Sequence, residues 1–414
     1  MTKKITRRKF IQVSAAATAG LSLGLHALGQ DKPVSKNDMI RIGVIGTGDR
    51  GAWEVEILKE TPGIEVAACC DIYPPHLANG LQAAGKKAKG YEDYRKLLEN
   101  KDLDAVLICT PQHLHYQMAL DALAAGKHII CQKTMTLNTD EALALSQAVK
   151  QSKSVFQVAY QWMSSPLYFK VREMVRNGDC GQITHIRCNY NRNTDWRTPV
   201  PDPKFERLLN WRMYREYSGG LMAELCAHQI NIVNWVLGAV PQKVTGFGGI
   251  DYWQDGRETF DNVTTVFAYP GGVKATFQAI TTNAFENVLI EFMGTEGTIT
   301  IRKEESQQAH FYAEPKKVRE VLSPDEMEKV TATTSATRGV WARGEAIPIT
   351  VEEENLDDFF TTRWMFQDFA ECVRSGGTPR SNVDNGREVA IAVDMALRAL
   401  HNGTIEEWKP EYKG

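Results

Sequence analysis

Gly46-Thr47-Gly48-Asp49-Arg50-Gly51 closes the apolar run Ile40–Ile45, and Asp71 ends a second apolar run, Val66-Ala67-Ala68-Cys69-Cys70. Strand, G-x-G-x-x-G turn, helix, strand and acid together form the pattern that holds a dinucleotide. Gly46 allows the tight turn, Gly48 lets backbone approach a pyrophosphate, and Gly51 lets the helix pack close to the strand. The helix N-terminus offers free N–H groups and a positive dipole end to the phosphates. Asp71 can accept hydrogen bonds from a ribose 2′-hydroxyl and would repel a 2′-phosphate. No arginine follows in Ile72-Tyr73-Pro74, so NAD is favoured over NADP. Thr47, Asp49 and Arg50 sit inside the turn and count among the cofactor contacts. The competing reading is a glycine-rich turn of another α/β fold; the two strands and the acid argue against it.

The surrounding elements read as an α/β chain of two domains. Residues 31–38 form a polar linker. From 39 to 160, short apolar runs such as Ala105–Cys109, His128–Cys131 and Val155–Val158 alternate with helical patterns, as in a parallel sheet. Asn138 and Glu141 make a capping-box pattern before one of those helices. From 161 to 414 the rhythm changes. Ile183–Tyr190, Val263–Tyr269, Val273–Ile280, Val288–Met293 and Thr298–Ile301 alternate apolar with polar residues. That predicts an open-faced, mostly antiparallel sheet, interrupted by a helix over Glu224–Val236. Residues 303–350 read as surface hairpins and loops. Two closing helices, Glu354–Ser375 and one capped by Asn385 and Glu388, are candidates to pack back on the first domain.

Residues 1–30 differ from the rest. Thr6-Arg7-Arg8-Lys9-Phe10-Ile11 precedes an apolar, Ala/Gly-rich run to Leu28. This reads as a twin-arginine export signal removed near Gln30, which places the mature chain in the periplasm or otherwise outside the cytoplasm. The alternative, a membrane anchor, is disfavoured by the shortness of the run, and no later stretch reaches a membrane-spanning length. The segment carries five basic residues and no acidic one, so its loss takes the formal charge from −3 to about −8. An acidic body argues against nucleic acid or an anionic membrane as partner. The eight cysteines form no C-x-x-C, and neither a metal site nor a disulfide framework is expected.

The order of motifs resembles the Gfo/Idh/MocA oxidoreductases. Thr110-Pro111-x-His113-x-His115 is followed by Ala125-Gly126-Lys127-His128-Ile129-Ile130-Cys131-Gln132-Lys133. A second block holds Trp211-Arg212, Ser218-Gly219-Gly220, Glu224-x-x-x-His228-x-x-Asn231 and Trp235-x-Leu237-Gly238. The resemblance covers roughly residues 39–405. It implies a Rossmann domain plus an open-faced α+β domain, and dehydrogenation of sugars or cyclitols. Four positions depart from the pattern: Gln132 stands for Glu, Thr134 for Pro, Glu224 for Asp and Asn231 for a second Asp. Lys133 and His228 are kept.

The resemblance implies catalytic roles for Lys133, His228 and Glu224, and chemistry supplies reasons. Removing hydride from a secondary alcohol also requires removing its hydroxyl proton. Histidine has a suitable intrinsic pKa, around 6.5. Glu224, one helical turn before His228, could orient the imidazole or reach substrate. Lys133, at the C-terminal end of a strand, could stabilise a developing alkoxide. Thr110, Pro111, His113, His115, Gln132, Lys133 and Gln161 complete the expected cofactor cleft, with His113 and His115 divided between structural and binding roles. Trp162, Trp196, Arg197, Trp211, Arg212, Tyr214 and Asn231 are substrate candidates, because flat apolar faces beside polar forks suit carbohydrate. Burial in a homo-oligomer, dimer or tetramer, is the competing use of those aromatics. The expected activity is NAD-dependent oxidation of a sugar or glycoside hydroxyl, at C3 by preference. The rival is an NAD-dependent glycoside hydrolase that oxidises, eliminates and re-reduces.

Overall fold

The computed structural model describes residues 35, 38–303, 307–314, 345–353 and 355–413. The twin-arginine segment and much of the 303–350 stretch lie outside these residues.

The first unit runs β1 (Ile40–Ile45), α1 (Asp49–Glu60), β2 (Ile64–Cys70), α2 (Pro74–Ala84), β3 (Lys89–Tyr91), α3 (Tyr94–Leu98), β4 (Ala105–Ile108), α4 (His115–Ala124), β5 (His128–Cys131), α5 (Thr139–Gln151) and β6 (Phe156–Val158). Its sheet has the order β3-β2-β1-β4-β5-β6, every pairing parallel. The order reverses between β1 and β4, and ligands of such sheets bind at that switch point, beyond the carboxyl ends of the strands. Gly46 has φ +88°, a conformation that favours glycine. A Cβ on Gly51 would lie 1.9 Å from the Gly46 carbonyl oxygen, so no other residue lets α1 start this close to β1.

The second unit runs α6 (Pro166–Arg176), β7 (Ile183–Tyr190), α7 (Glu206–Leu209), α8 (Ala227–Leu237), β8 (Lys243–Gly249), β9 (Asn262–Ala268), β10 (Lys274–Ile280), β11 (Val288–Gly294), β12 (Gly297–Lys303), β13 (Gln307–Ala313), β14 (Ala346–Ile349), α9 (Asp358–Ser375), α10 (Val383–Asn402) and β15 (Glu406–Glu407). Its nine strands are ordered β14-β13-β12-β11-β7-β10-β9-β8-β15. All neighbours are antiparallel except β7 and β10, which run parallel.

Caps set the helix starts. Asn138 accepts from the Glu141 N–H at 3.0 Å, as the spacing predicts. The last helix is capped by Asn382 in a reciprocal box with Asn385, three residues earlier than the sequence suggests, because an Asx oxygen must precede the first turn to reach its free N–H groups. The Glu224 helix also differs from expectation: Met222–Cys226 is a π turn that leads into α8.

Both closing helices pack inward. Met365, Phe366 and Phe369 of α9 join Ile42, Val44, Val66, Leu107 and Ile130 in one core on the first sheet. Val389, Ala392 and Ala396 of α10 belong to a second core that runs from Ile45 and Val106 into Phe277 and Phe292 of the other sheet. The two units therefore share an apolar interior.

Gly51→Ala should remove NAD binding and lower stability by at least ~2 kcal/mol, since the contact is with backbone and the overpacking cannot be relieved by a rotamer. Thermal melting with and without added NAD checks this; a melt unchanged from wild type would contradict it.

Candidate active site

The two units meet where the end of β5 faces the π turn. Lys133 Nζ donates to the Glu224 carbonyl at 3.0 Å and lies 3.5 Å from the Glu224 carboxylate. Thr134 Oγ1 donates to the Ala223 carbonyl at 2.9 Å. A π turn spaces its hydrogen bonds one residue wider than an α-helix and is frequent at functional sites; here two of its carbonyls accept from the first unit.

Glu224 is buried, and its carboxylate takes a 2.8 Å bond from Arg212 Nε as well as the Lys133 charge. Burial alone would raise its pKa. The two cations outweigh burial and hold it at about 2. Burial pulls the Lys133 ammonium below its usual value, with Arg212 and Arg50 acting the same way and Glu224 opposing them. His228 is buried, 5.0 Å from the Trp162 ring and 6.0 Å from that of Tyr160. Burial, then the charges of Lys133, Arg50, Lys303 and Arg192, hold it well below the ordinary histidine range. It is thus a neutral imidazole at neutral pH, able to accept a proton. Its Nδ1 has no hydrogen-bond partner. Glu224 therefore does not orient the imidazole as the spacing suggested; its carboxylate is committed to Lys133 and Arg212.

The cofactor candidates lie past the carboxyl ends of the first sheet's strands, from Asp71 after β2 to Gln161 after β6. Asp71 accepts from the Thr47 N–H at 2.8 Å and the Tyr73 N–H at 2.9 Å, which fixes the carboxylate beside the turn with lone pairs to spare. Arg50 donates to Glu54 from Nε at 2.8 Å, and its Nη2 is 2.7 Å away. Gln132 Nε2 bonds the same Glu54 oxygen at 2.5 Å, and the Cys109 thiol bonds the other at 3.3 Å. Gln132 is thus aimed at α1 by a fully buried carboxylate. Gln161 is buried with Oε1 unpartnered, an acceptor a carboxamide could satisfy. Thr110, at the end of β4, gives its carbonyl to His115 Nε2 at 2.9 Å, while His115 Nδ1 faces the Thr134 carbonyl at 3.0 Å. His115 therefore clasps the β4 end to the Lys133 loop. His113, two residues past Pro111, stacks on Tyr217 at 4.6 Å. The glycine cradle, the fixed Asp71 and the unpartnered Gln161 oxygen fit a dinucleotide.

The substrate candidates divide. Trp162 and Asn231 are buried; Trp162 packs between Tyr168 and Tyr190 behind His228, and Asn231 Nδ2 is unpartnered. Arg197 is held by Glu206 and Asp255. Arg212 lies 4.2 Å over Trp211 while bound to Glu224. Tyr214 Oη donates to Glu206 at 3.1 Å. Trp196 is half-buried in a left-handed conformation, φ +62°. Sequence reasoning missed Glu54, whose partners lie 55 and 78 residues away; an acid on the apolar side of an amphipathic helix was the available signal. Among the described residues no group of three or more His, Cys, Asp or Glu side chains could hold a metal.

A model of the oxidoreductase family with an NAD-binding Rossmann fold matches residues 40–160, and the Gfo/Idh/MocA C-terminal domain matches 168–300. The chain belongs to the Gfo/Idh/MocA oxidoreductases. Levoglucosan dehydrogenase of Pseudarthrobacter phenanthrenivorans is 25% identical over 79% of this chain and 86% of its own. The NAD(+)-dependent scyllo-inositol 2-dehydrogenase of Bacillus subtilis is 25% identical over 87% and 94%. A glycosyl hydrolase family 109 protein of Shewanella baltica is 28% identical over 51% and 50%. Among solved structures, a levoglucosan dehydrogenase with NADH and L-sorbose superposes with a TM-score of 0.71 at 20% identity, covering 89% of this chain and 98% of that one; that likeness is one of fold.

Two pH effects follow. The depressed Glu224 pKa contributes stability that is fully present above about pH 4.5 and lost as pH falls toward about 2; Arg212→Ala should move acid unfolding to higher pH, read by thermal melts across pH. Lys303→Met removes a cation acting on His228, so its pKa should rise and the acidic limb of kcat/KM should move up. A limb that stays in place would mean that His228 is not the titrating base.

Proposed function

We propose that the chain is an NAD-dependent dehydrogenase of sugars or glycosides, oxidising a ring secondary hydroxyl, with C3 preferred. The arrangement that carries this reading is buried His228 on the helix that follows the π turn, with the Lys133–Glu224 pair joining that turn to the end of β5. Bound NAD supplies the hydride acceptor. His228 takes the hydroxyl proton. The Lys133 ammonium, with its pKa already lowered, stabilises negative charge on the reacting oxygen. Glu224, ionised, fixes Lys133 and offsets its charge. Gln161 and Asn231, each with an unpartnered buried polar atom, offer hydrogen bonds to cofactor and sugar. The levoglucosan and inositol dehydrogenases among the relatives support a carbohydrate substrate.

A second reading is a glycoside hydrolase that oxidises transiently, eliminates the aglycone and re-reduces. The family 109 relative supports it, and so does the twin-arginine pattern, because an exported enzyme finds no free NAD pool and would carry its cofactor with it. Export to the periplasm and a homo-oligomer formed through the open sheet belong to this proposal. Phe247 and Val266 stand exposed in adjacent strands of that sheet.

Purified protein incubated with a glycoside panel and followed by NMR tests both. A keto-sugar after one turnover without added acceptor marks the dehydrogenase, and free aglycone with catalytic turnover marks the hydrolase. Lys133→Ala and His228→Ala should each lower kcat by ~10²–10⁴ in folded protein. Full activity in either variant would remove that residue from the mechanism.

A further inference from the structure

The chain between β7 and the π turn forms no strand. It leaves the substrate sheet where Asn193 bridges Thr282. From there it is braced from below: Arg257 Nη2 donates to the Asp195 carbonyl at 2.6 Å, and Arg197 Nε donates to Asp255 at 3.1 Å. Asn210 closes the segment on itself, accepting from the Thr198 N–H at 2.7 Å and donating to the Thr198 carbonyl at 2.9 Å.

The same segment reaches the first unit at two places. The Phe205 ring meets the Tyr73 ring edge-on at 5.1 Å, two residues past Asp71 at the end of β2. Tyr217 packs on His113 at 4.6 Å and accepts from the His113 N–H at 3.3 Å, past the end of β4. The Gly219 N–H adds a 2.9 Å bond to Gln112 Oε1. β1 lies between β2 and β4 in the sheet. A segment seated beyond β2 and again beyond β4 must therefore pass across the end of β1, where Gly46–Gly51 turn.

We propose that residues 195–217 are a strap across the dinucleotide groove, and that Phe205 and Tyr217 are cofactor-retaining residues supplied by the substrate unit. The inference rests on the reading that NAD is resident, and names what keeps it. Its adenosine half would lie by Asp71 under the Phe205–Tyr73 contact, and its exit would require both aromatic contacts to part. Asp195 and Arg197 hold the strap to the β8–β9 connection and Asn210 closes it on itself, so the contacts, not the whole segment, have to open. Each aromatic pair is worth roughly a two- to twelvefold change in an equilibrium. Loss of both should therefore speed NAD release by roughly fourfold to a hundredfold.

The test uses the full chain loaded with NAD and diluted into excess etheno-NAD, with bound nucleotide identified by mass spectrometry. Wild type should keep its NAD through desalting. Phe205→Ala and Tyr217→Ala should each release it faster, the double variant fastest, and Phe205→Tyr should restore slow release at an unchanged melting temperature. Release within twofold of wild type in both folded single variants would overturn the strap while leaving resident NAD intact. Wild type that exchanges its NAD during desalting would overturn both readings.

Discussion

The joint between the end of β5 and the π turn holds the site together. Two side chains, Lys133 and Thr134, reach two successive carbonyls, Glu224 and Ala223. Through them the sheet that carries the glycine turn is held against the helix that carries His228. The same three-residue stretch is bound from the other side as well. Gln132 is drawn to Glu54 of α1, and the Thr134 carbonyl faces His115. A residue at the end of a four-residue strand would ordinarily be mobile. Here three consecutive side chains are bonded to two other elements, Gln132 to α1 and Lys133 and Thr134 to the π turn, so Lys133 has one place to be. That precision matters, because small misplacements at a reacting centre cost large factors in rate.

Lys133 acts on two neighbours and lowers both pKa values, which leaves one charged and the other neutral. Lys133 and Arg212 overcome the cost of burying Glu224 and keep it ionised, while Lys133 and Arg50 add to burial in keeping His228 neutral. One pKa unit corresponds to about 1.4 kcal/mol, so moving the carboxylate from its ordinary value to about 2 takes a few kcal/mol of attraction beyond desolvation. The outcome is a division of labour: a fixed negative charge, a destabilised ammonium and an uncharged base.

What could be read from the sequence follows from range. The glycine turn and Asp71 were legible because their chemistry is local: one strand, one turn, one strand. The alternating strands of the second sheet were legible because a half-covered sheet has a two-residue period. β8 escaped because Gly246, Gly248 and Gly249 erase that period. The substrate candidates fared differently. Arg197 and Arg212 looked like free forks, yet each is occupied by a carboxylate from elsewhere, Asp255 and Glu224. Trp162 looked like a sugar platform, yet it packs behind His228. Nothing in an arginine or a tryptophan says whether a partner 58 residues away will claim it. Glu54 is the same case in reverse: beyond its local pair with Arg50, its role comes from Gln132 and Cys109, brought to it by folding.

In the proposed strap, the aromatic and basic residues between 195 and 217 take on a purpose other than gripping sugar. Their charges are largely consumed in bracing the segment, and two of its rings, those of Phe205 and Tyr217, are turned toward the Rossmann unit rather than toward His228. A segment built this way limits movement at the cofactor groove more than it shapes a sugar pocket. For an enzyme that oxidises and then reduces within one cycle, slow cofactor loss is an advantage. For one that must hand its hydride on to a second cofactor molecule, it would be a handicap. On the strap proposal the bracing suits chemistry in which the nicotinamide is reoxidised in place, either by the same substrate molecule or by a second carbohydrate.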